Sequence, residues 1–355
     1  MRVLSVVGAR PQFVKSAVVE RALTARGVEV LGVHTGQHYD EKMSELFFRQ
    51  LGIAEPYVNL GIGSASHGVQ TGRMLAAIEG VITETRPDAV VVYGDTNSTL
   101  AAALAASKLL VPVVHVEAGL RSFNQDMPEE QNRVVTDHLC VVALAPSQAA
   151  MDNLAREGLG ARAVLVGDVM RDAQALIAAA VDPAAVCAAY GVTPGAFVLS
   201  TVHRAENTDD PERLHGILRG LDSSALPVLL PLHPRTRSRL AEGDVPANVQ
   251  IAEPVGYIEM IALETACERI ATDSGGVQKE ALWAGVPCIT MRDQTEWVET
   301  VEAGWNTLVG ADAALIEAAL KAPVPAGPPP QLYGDGAAGA RIAKIVAGFS
   351  QEGTS

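Results

Sequence analysis

A Ser-Gly-Gly sequence in the second half of the chain could bind an anion. Ser274, Gly275 and Gly276 follow an apolar segment and precede a predicted helix. Ser274 can cap that helix, and the two glycines let a ligand approach the backbone, where free N–H groups and the helix dipole favour a phosphate. Glu280 lies about one turn inside the helix and could accept both hydroxyls of a ribose. An ordinary capped helix after a tight turn would give the same pattern.

Two cations near the N-terminus offer a second phosphate contact. Arg10 follows the apolar segment that opens the chain, and Lys15 falls early in a helix predicted from about Gln12. A guanidinium can donate two parallel hydrogen bonds to a phosphate, and Lys15 could point toward the same ligand. Two solvated surface cations would also fit these residues.

Carboxylates follow two neighbouring predicted strands. Asp95 comes after the most hydrophobic segment of the chain, and Glu117 ends the next apolar segment. Either one could be a turn residue, but two at one edge of a sheet are harder to explain by turn chemistry alone. Glu129 adds a carboxyl group at a predicted helix start, where complementing the helix dipole is the alternative role.

Two histidines end predicted strands in the second half. His203 and His233 are each followed by an arginine within two residues, at Arg204 and Arg235. A lone histidine is most often structural, but two in equivalent positions indicate an edge of the sheet that faces an anion.

No cofactor or metal motif accompanies these groups. Gly61 and Gly63 have the spacing of a dinucleotide-binding turn, but the third glycine and the flanking strand and helix are missing. A Walker P-loop, a GxSxG elbow and metal-ligand spacings are also absent from the sequence. The chain therefore offers a phosphate grip, several carboxylates and one or two histidines, and we expect it to use no cofactor.

The elements that position these groups are repeated strand–loop–helix units. Apolar segments precede predicted helices at 3–8, 30–36, 88–95 and 111–119, and again at 197–204, 227–234, 269–276 and 287–293. Continuous apolar strands that alternate with helices predict parallel sheets covered on both faces. Ligands bind such sheets at the carboxyl ends of the strands, so two facing domains would form a cleft there.

The length of 355 residues favours two domains. We place a first domain at 1–168, a second at 169–335 and a final helix at 336–355. A Pro- and Gly-rich stretch at 322–330 reads as a stiff connector before that helix.

The formal net charge of -14 makes the chain a poor general binder of nucleic acid or of an anionic membrane. The N-terminus lacks the features of a signal peptide, and no apolar run is long enough to span a membrane, so we expect a cytoplasmic protein. The four cysteines have no CxxC spacing and are predicted to be buried free thiols: Cys140, Cys187, Cys267 and Cys288.

Taken together, the motifs resemble the non-hydrolysing UDP-N-acetylglucosamine 2-epimerase family. The resemblance runs nearly end to end, through GARPQFVK, GDTNSTL, HVEAGLRS, PEEQNR, VHRAEN, LHPRTR, TDSGGVQKEA and YGDG. It implies an α/β fold in the GT-B arrangement, with two Rossmann-like domains, parallel sheets and a central cleft. It also implies a homodimer and a last helix that crosses back to the first domain.

The resemblance assigns roles residue by residue. The catalytic positions are Lys15, Asp95, Glu117, Glu129 and His203. The positions that hold UDP are Arg10, Arg133, His233, Tyr257, Ser274, Gly275, Gly276 and Glu280. Gln37, His38 and Arg73 lie where some relatives bind a second, activating UDP-sugar. The loop 121–128 is shorter here than in some members of the family, and this difference affects which residue aligns with the catalytic position assigned to Glu129.

The implied reaction is inversion of carbon 2 in a UDP-N-acetylhexosamine, of the UDP-GlcNAc to UDP-ManNAc type, for surface polysaccharide precursors. The proton on carbon 2 is not next to a carbonyl, and no nicotinamide site is predicted, so elimination and re-addition of UDP through a glycal is the expected route. The sequence segments HTGQHYD, RSFN and DQTEWVE most resemble those of a branch of the family that acts on UDP-2,3-diacetamido-2,3-dideoxyglucuronate. A hydrolysing 2-epimerase, a GT-B glycosyltransferase and a non-catalytic nucleotide-sugar sensor are the alternatives.

Overall fold

The structure is a computed structural model that describes residues 1–37, 55–232, 234–241 and 243–352. The chain divides into two compact units. Unit 1 comprises Met1–Ala173 and Tyr333–Ser355, and unit 2 comprises Gln174–Leu332.

In the described part of unit 1, seven parallel strands form one sheet in the order β3-β2-β1-β4-β5-β6-β7. The strands are β1 (Arg2–Val7), β2 (Glu29–His34), β3 (Val58–Asn59), β4 (Ala89–Tyr93), β5 (Val113–Val116), β6 (Val142–Ala145) and β7 (Ala163–Leu165). The helices are α1 (Arg10–Thr24), α2 (His67–Thr85), α3 (Asn97–Lys108), α4 (Pro128–Leu139), α5 (Gln148–Arg156) and α6 (Val169–Ala180), which continues into unit 2. Every residue of β4 is buried, as expected for a strand covered on both faces.

In the described part of unit 2, six parallel strands form a second sheet in the order β10-β9-β8-β11-β12-β13. The strands are β8 (Val198–Thr201), β9 (Val228–Pro231), β10 (Val249–Ala252), β11 (Arg269–Thr272), β12 (Cys288–Thr290) and β13 (Asn306–Leu308). The helices are α7 (Pro183–Ala189), α8 (Ala205–Thr208), α9 (Pro211–Asp222), α10 (Pro234–Arg237), α11 (Tyr257–Ala266), α12 (Gly275–Ala284), α13 (Val298–Glu302) and α14 (Ala313–Lys321). The predicted α/β class with parallel sheets is confirmed.

The last helix, α15 (Ala338–Glu352), packs on α1. Ile342 and Val346 are fully buried in the same apolar cluster as Val19 and Leu23 of α1. Gly339 permits this approach, because a Cβ there would lie 2.6 Å from the Cγ1 atom of Val18. The final helix therefore completes the core of unit 1.

All four cysteines are buried and free, which confirms the prediction from their spacing. Burial raises the pKa of Cys288 to about 12 and that of Cys140 to about 12, so both stay protonated thiols at neutral pH. Within the ranges described, no single helix has the length and apolarity needed to cross a membrane, although the bent pair α6 and α7 passes on length and composition.

A carboxyl group lies in the layer between α1 and the sheet. Glu20 of α1 hydrogen-bonds to Ser5 and Ser16, and the Ser5 hydroxyl lies 3.0 Å from the Tyr93 hydroxyl. Burial raises the pKa of Glu20 to about 7, and the two serine hydrogen bonds oppose that rise only in part. Because the folded-state pKa exceeds the ordinary value of 4.5, Glu20 costs stability as the pH rises through about 7.

We predict that Glu20→Gln raises the melting temperature more at about pH 8.5 than at about pH 5. The substitution removes the cost of a buried charge, on the order of 2 kcal/mol, which corresponds to a few degrees. Thermal denaturation followed by circular dichroism measures the difference. Glu79→Gln, at an exposed site on α2, serves as the control and should show no comparable pH dependence. Equal shifts at both pH values would contradict the assignment.

Candidate active site

Two sharp turns end neighbouring strands of unit 1. Gly94 follows β4 with a φ of 61°, and Glu117 follows β5 with a φ of 69°. These parallel neighbours bring Asp95 and Glu117 to the same edge of the sheet. A left-handed backbone at a residue with a side chain costs about 1–2 kcal/mol, and it persists only where surrounding contacts fix it.

The Glu117 carboxylate forms an ion pair with the Lys15 ammonium group. Their side chains are only 15% and 11% exposed, so water screens the pair weakly. Burial lowers the pKa of Lys15, but the charge and hydrogen bond of Glu117 outweigh it and leave that pKa raised. Lys15 therefore carries its positive charge against Glu117.

A second ion pair joins Asp95 to Arg133 of α4. The same guanidinium lies 2.9 Å from Oε2 of Glu130. Asn132, the preceding residue, donates to the Asp95 carbonyl at 2.9 Å. Arg133 was predicted as a UDP contact, and in this structure it holds Asp95.

The two adjacent glutamates of α4 have different surroundings. Glu130 is buried and accepts hydrogen bonds from the N–H groups of Ser122 and Phe123 at 2.9 and 3.0 Å. Burial raises the pKa of Glu130, but these hydrogen bonds outweigh it and leave the pKa lowered. Glu130 thus holds the loop before α4, whereas the predicted catalytic residue Glu129 is half-buried in the first turn.

The turn after β1 is tied to the end of β4 by one amide side chain. Gln12 accepts from the Gly8 N–H at 2.7 Å and donates to the Tyr93 carbonyl at 2.6 Å. Helix α1 is thereby held in register with the Gly94 turn. Arg10 begins this helix, although its side chain lies outside the described residues.

In unit 2, a buried carboxylate organises the ends of β8 and β11, which are parallel neighbours. Asp273 accepts from the N–H groups of His203 and Arg204 at 3.0–3.1 Å, and its Oδ1 lies 3.0 Å from Nδ1 of His203. Burial raises the pKa of Asp273, but the hydrogen bond and charge of His203 outweigh it and leave the pKa lowered. The His203 side chain stays 55% exposed, so its Nε2 is the ring nitrogen that a ligand can contact.

The Ser-Gly-Gly turn follows directly. Ser274 is the N-cap residue of α12, but among the described contacts its hydroxyl accepts no hydrogen bond from the helix. That hydroxyl and the amides of the first turn can therefore serve an anion. A Cβ at Gly275 would lie 2.3 Å from Oε1 of Glu296, so the end of that side chain would have to move; Gly276 is less crowded, with 4.0 Å to the nearest such contact.

The predicted ribose contacts lie farther along α12. The Tyr257 hydroxyl donates to Oε1 of Glu280 at 3.0 Å, which brings together two residues grouped from the sequence. Glu264, which the sequence did not single out, is a fully buried neighbour on α11. Burial, and then the negative charge of Glu280, raise the pKa of Glu264 well above its usual range.

Other predicted residues stay predictions. His233 and His38 lie outside the described residues. The Gln37 side chain accepts from the Ser98 hydroxyl at 2.7 Å, so it lies at the start of α3. Arg73 is exposed on α2. Asp273 and Glu130 were missed, although the first precedes the Ser-Gly-Gly turn and the second follows Glu129.

A family model described as UDP-N-acetylglucosamine 2-epimerase matches residues 21–347. The chain is 49% identical to the UDP-2,3-diacetamido-2,3-dideoxy-D-glucuronate 2-epimerase of Pseudomonas aeruginosa, over 98% of this chain and 99% of that protein.

The chain belongs to the UDP-N-acetylglucosamine 2-epimerase family.

Solved structures agree with this membership. The UDP-GlcNAc 2-epimerase of Methanocaldococcus jannaschii matches with a TM-score of 0.86 and 41% identity, over 98% of this chain and 99% of that one. The same enzyme in complex with UDP-GlcNAc and UDP matches with a TM-score of 0.80 and 42% identity, over the same shares. The resemblance drawn from the motifs is confirmed.

We predict that Gly94→Ala lowers the turnover of UDP-sugar by about 10-fold, because it displaces the carboxylate of Glu117, a predicted catalytic residue. A Cβ at Gly94 would lie 3.1 Å from Oε2 of Glu117, so that carboxylate would have to shift by a few tenths of an ångström. Steady-state turnover of UDP-sugar measures the effect.

Gly61→Ala is the matched control. Gly61 has the same φ of 61°, and nothing lies within 4 Å of its would-be Cβ. Both variants carry a backbone cost of about 1 kcal/mol, so their melting temperatures should fall alike. Equal turnover in the two variants would show that the Glu117 carboxylate tolerates displacement.

Proposed function

We propose that this chain inverts carbon 2 of a UDP-2-acetamido sugar by reversible elimination and re-addition of UDP. The observation that carries the proposal is the pair of strand-end carboxylates, Asp95 and Glu117, each held by its own cation. Two acidic groups at one edge of a sheet suit a reaction that moves a proton on either face of one carbon.

The departing diphosphate needs compensation for its growing charge. The Ser274 hydroxyl, the free amides that open α12 and Nε2 of His203 can supply it within unit 2. Arg10 and His233 are further predicted contacts. Glu280, held by Tyr257, would accept the ribose hydroxyls.

The proton on carbon 2 requires a different step. As UDP leaves carbon 1 with its bonding electrons, a carboxylate removes this proton and a carbon 1–carbon 2 double bond forms. UDP then returns to carbon 1 while a proton reaches carbon 2 from the opposite face. Asp95, Glu117 and Glu129 are the candidates for these transfers, and Lys15 balances the charge of Glu117.

Two substrates are candidates within this class. UDP-N-acetylglucosamine, converted to UDP-N-acetylmannosamine, is supported by the solved complex with UDP-GlcNAc and UDP. UDP-2,3-diacetamido-2,3-dideoxyglucuronate is supported by the 49% identity to the Pseudomonas aeruginosa enzyme. We propose that the chain acts on one of them as a homodimer, in the supply of surface polysaccharide precursors.

We predict that the substrate acquires deuterium at carbon 2 in D2O while a second anomeric proton signal grows to a plateau. Parallel NMR experiments with the two nucleotides identify the substrate by which one reacts. Steady accumulation of free UDP would indicate a hydrolysing enzyme, and product with full protium at carbon 2 would contradict the elimination route.

Matched variants at the two ends of β4 sharpen this test. Asp95→Asn removes the carboxylate at the carboxyl end of the strand and should abolish exchange at carbon 2. Asp88→Asn changes an exposed residue just before the strand and should leave exchange intact. Equal exchange in both variants would remove Asp95 from the reaction.

We predict that Glu280→Gln weakens the binding of UDP by about 10- to 100-fold but that of 2′-deoxy-UDP far less, because a hydrogen bond to a charged group contributes about 1.5–3 kcal/mol. Isothermal titration calorimetry gives both dissociation constants. Glu268→Gln, at a half-buried site on the loop before β11, is the control. An equal loss for the two ligands would show that Glu280 does not contact the 2′-hydroxyl.

A further inference from the structure

One histidine that the proposed reaction does not use lies between its two carboxylates. His115 is fully buried in β5, two residues before Glu117. Its Nδ1 lies 2.7 Å from Oδ1 of Asp137, and its Nε2 lies 2.7 Å from the Gly94 carbonyl oxygen. Both partners are hydrogen-bond acceptors, so each ring nitrogen of His115 faces an acceptor.

Asp137, on α4, is fully buried and gathers donors from the turn that carries Glu117. Its Oδ2 accepts from the Gly119 N–H at 3.1 Å and from a guanidinium N–H of Arg121 at 2.8 Å. Arg121 in turn contacts Glu157 at 2.6 Å. The charges of Asp137, Arg121 and Glu157 therefore alternate along this chain of contacts, which makes their burial tolerable.

The contacts of His115 reach the backbone beside both carboxylates. Its bond to the Gly94 carbonyl fixes the peptide that leads into Asp95. Its bond to Asp137 fixes the turn after Glu117, where the backbone holds left-handed φ values of 69° at Glu117 and 81° at Gly119. A residue that touches both turns can set the distance between their side chains.

We propose that His115, oriented by Asp137, is a positioning residue that holds Asp95 and Glu117 in one geometry for proton transfer at carbon 2. The proposal rests on the proposed function of these carboxylates. His115 is fully buried, and the proposal gives it no contact with the substrate or the reacting atoms. It acts through the Gly94 peptide on one side and through the 117–121 turn on the other.

Two substitutions separate the two bonds. The amide nitrogen of His115→Asn stands near the position of Nδ1, so it keeps the donor to Asp137 and loses the donor to Gly94. The amide nitrogen of His115→Gln stands near Nε2 and does the reverse. His115→Asn thus leaves the buried Asp137 partnered while it releases the Asp95 turn.

We predict that His115→Asn lowers kcat by about 100-fold, the cost of a misplaced catalytic group, and leaves the dissociation constant and stoichiometry of UDP binding unchanged. Because proton transfer becomes slower relative to the other steps, the kinetic isotope effect with substrate deuterated at carbon 2 should increase. His115→Gln should give the same isotope signature with a smaller loss of kcat. Kinetics with protiated and deuterated substrate, together with calorimetric titration by UDP, provide the measurements.

The control is His138→Gln, an exposed histidine on α4 next to Asp137, which should keep wild-type kinetics. A normal kcat in His115→Asn would overturn the proposal. So would a fall in activity that matches a loss of UDP-binding sites with an unchanged isotope effect, since that result assigns His115 to folding alone. Failure of the wild-type enzyme to exchange the carbon 2 proton would instead refute the proposed function.

Discussion

The largely buried ion pair between Glu117 and Lys15 is the contact on which the arrangement of unit 1 depends. A carboxylate this deeply placed is costly unless a cation accompanies it. The cation must come from α1, so the turn after β1 has to be held against the end of β4, which the Gln12 side chain does. The sheet edge that carries Asp95 and Glu117 is thus built by fixing one helix relative to two strand ends.

In unit 2, side-chain contacts hold the helix α12, which begins after Ser274. The Gly275 carbonyl accepts a hydrogen bond from the Trp297 indole at 2.8 Å, and Nζ of Lys279 lies 4.2 Å from the centroid of that ring. Trp283 donates to the carbonyl of Leu332, the last residue of the unit, at 3.4 Å. These contacts hold α12 along its length while the Ser274 hydroxyl stays unused by the helix. The contacts that hold α12 therefore do not use the hydroxyl of Ser274, which is the group predicted to contact a phosphate.

The sequence predicted the strands and the groups at their ends well, because a buried parallel strand is a continuous apolar run and its ligand-binding end is the end that becomes polar. It did not predict which groups would pair. Arg133 contacts Asp95 across 38 positions of the sequence, and His115 contacts Asp137 across 22 positions. The sequence also did not show which of Glu129 and Glu130 faces the loop before α4. That depends on the rotation of the helix about its axis, which the residues at the helix start do not determine. The structural role of Asp273 was not predicted, because the groups that donate hydrogen bonds to it belong to the end of β8, at His203 and Arg204.

The packing of α15 on α1 has a consequence for biosynthesis. Lys15 belongs to α1, whose apolar residues pack partly on the sheet and partly on α15. During translation, residues 1–173 emerge before unit 2 and α15 emerges after it, so the part of the unit 1 core that α15 supplies forms only after unit 2 has been made. The core of unit 1 thus joins segments that precede and follow unit 2 in the sequence, so a chain cut after Leu332 would contain the whole of unit 2 but would lack part of the core of unit 1.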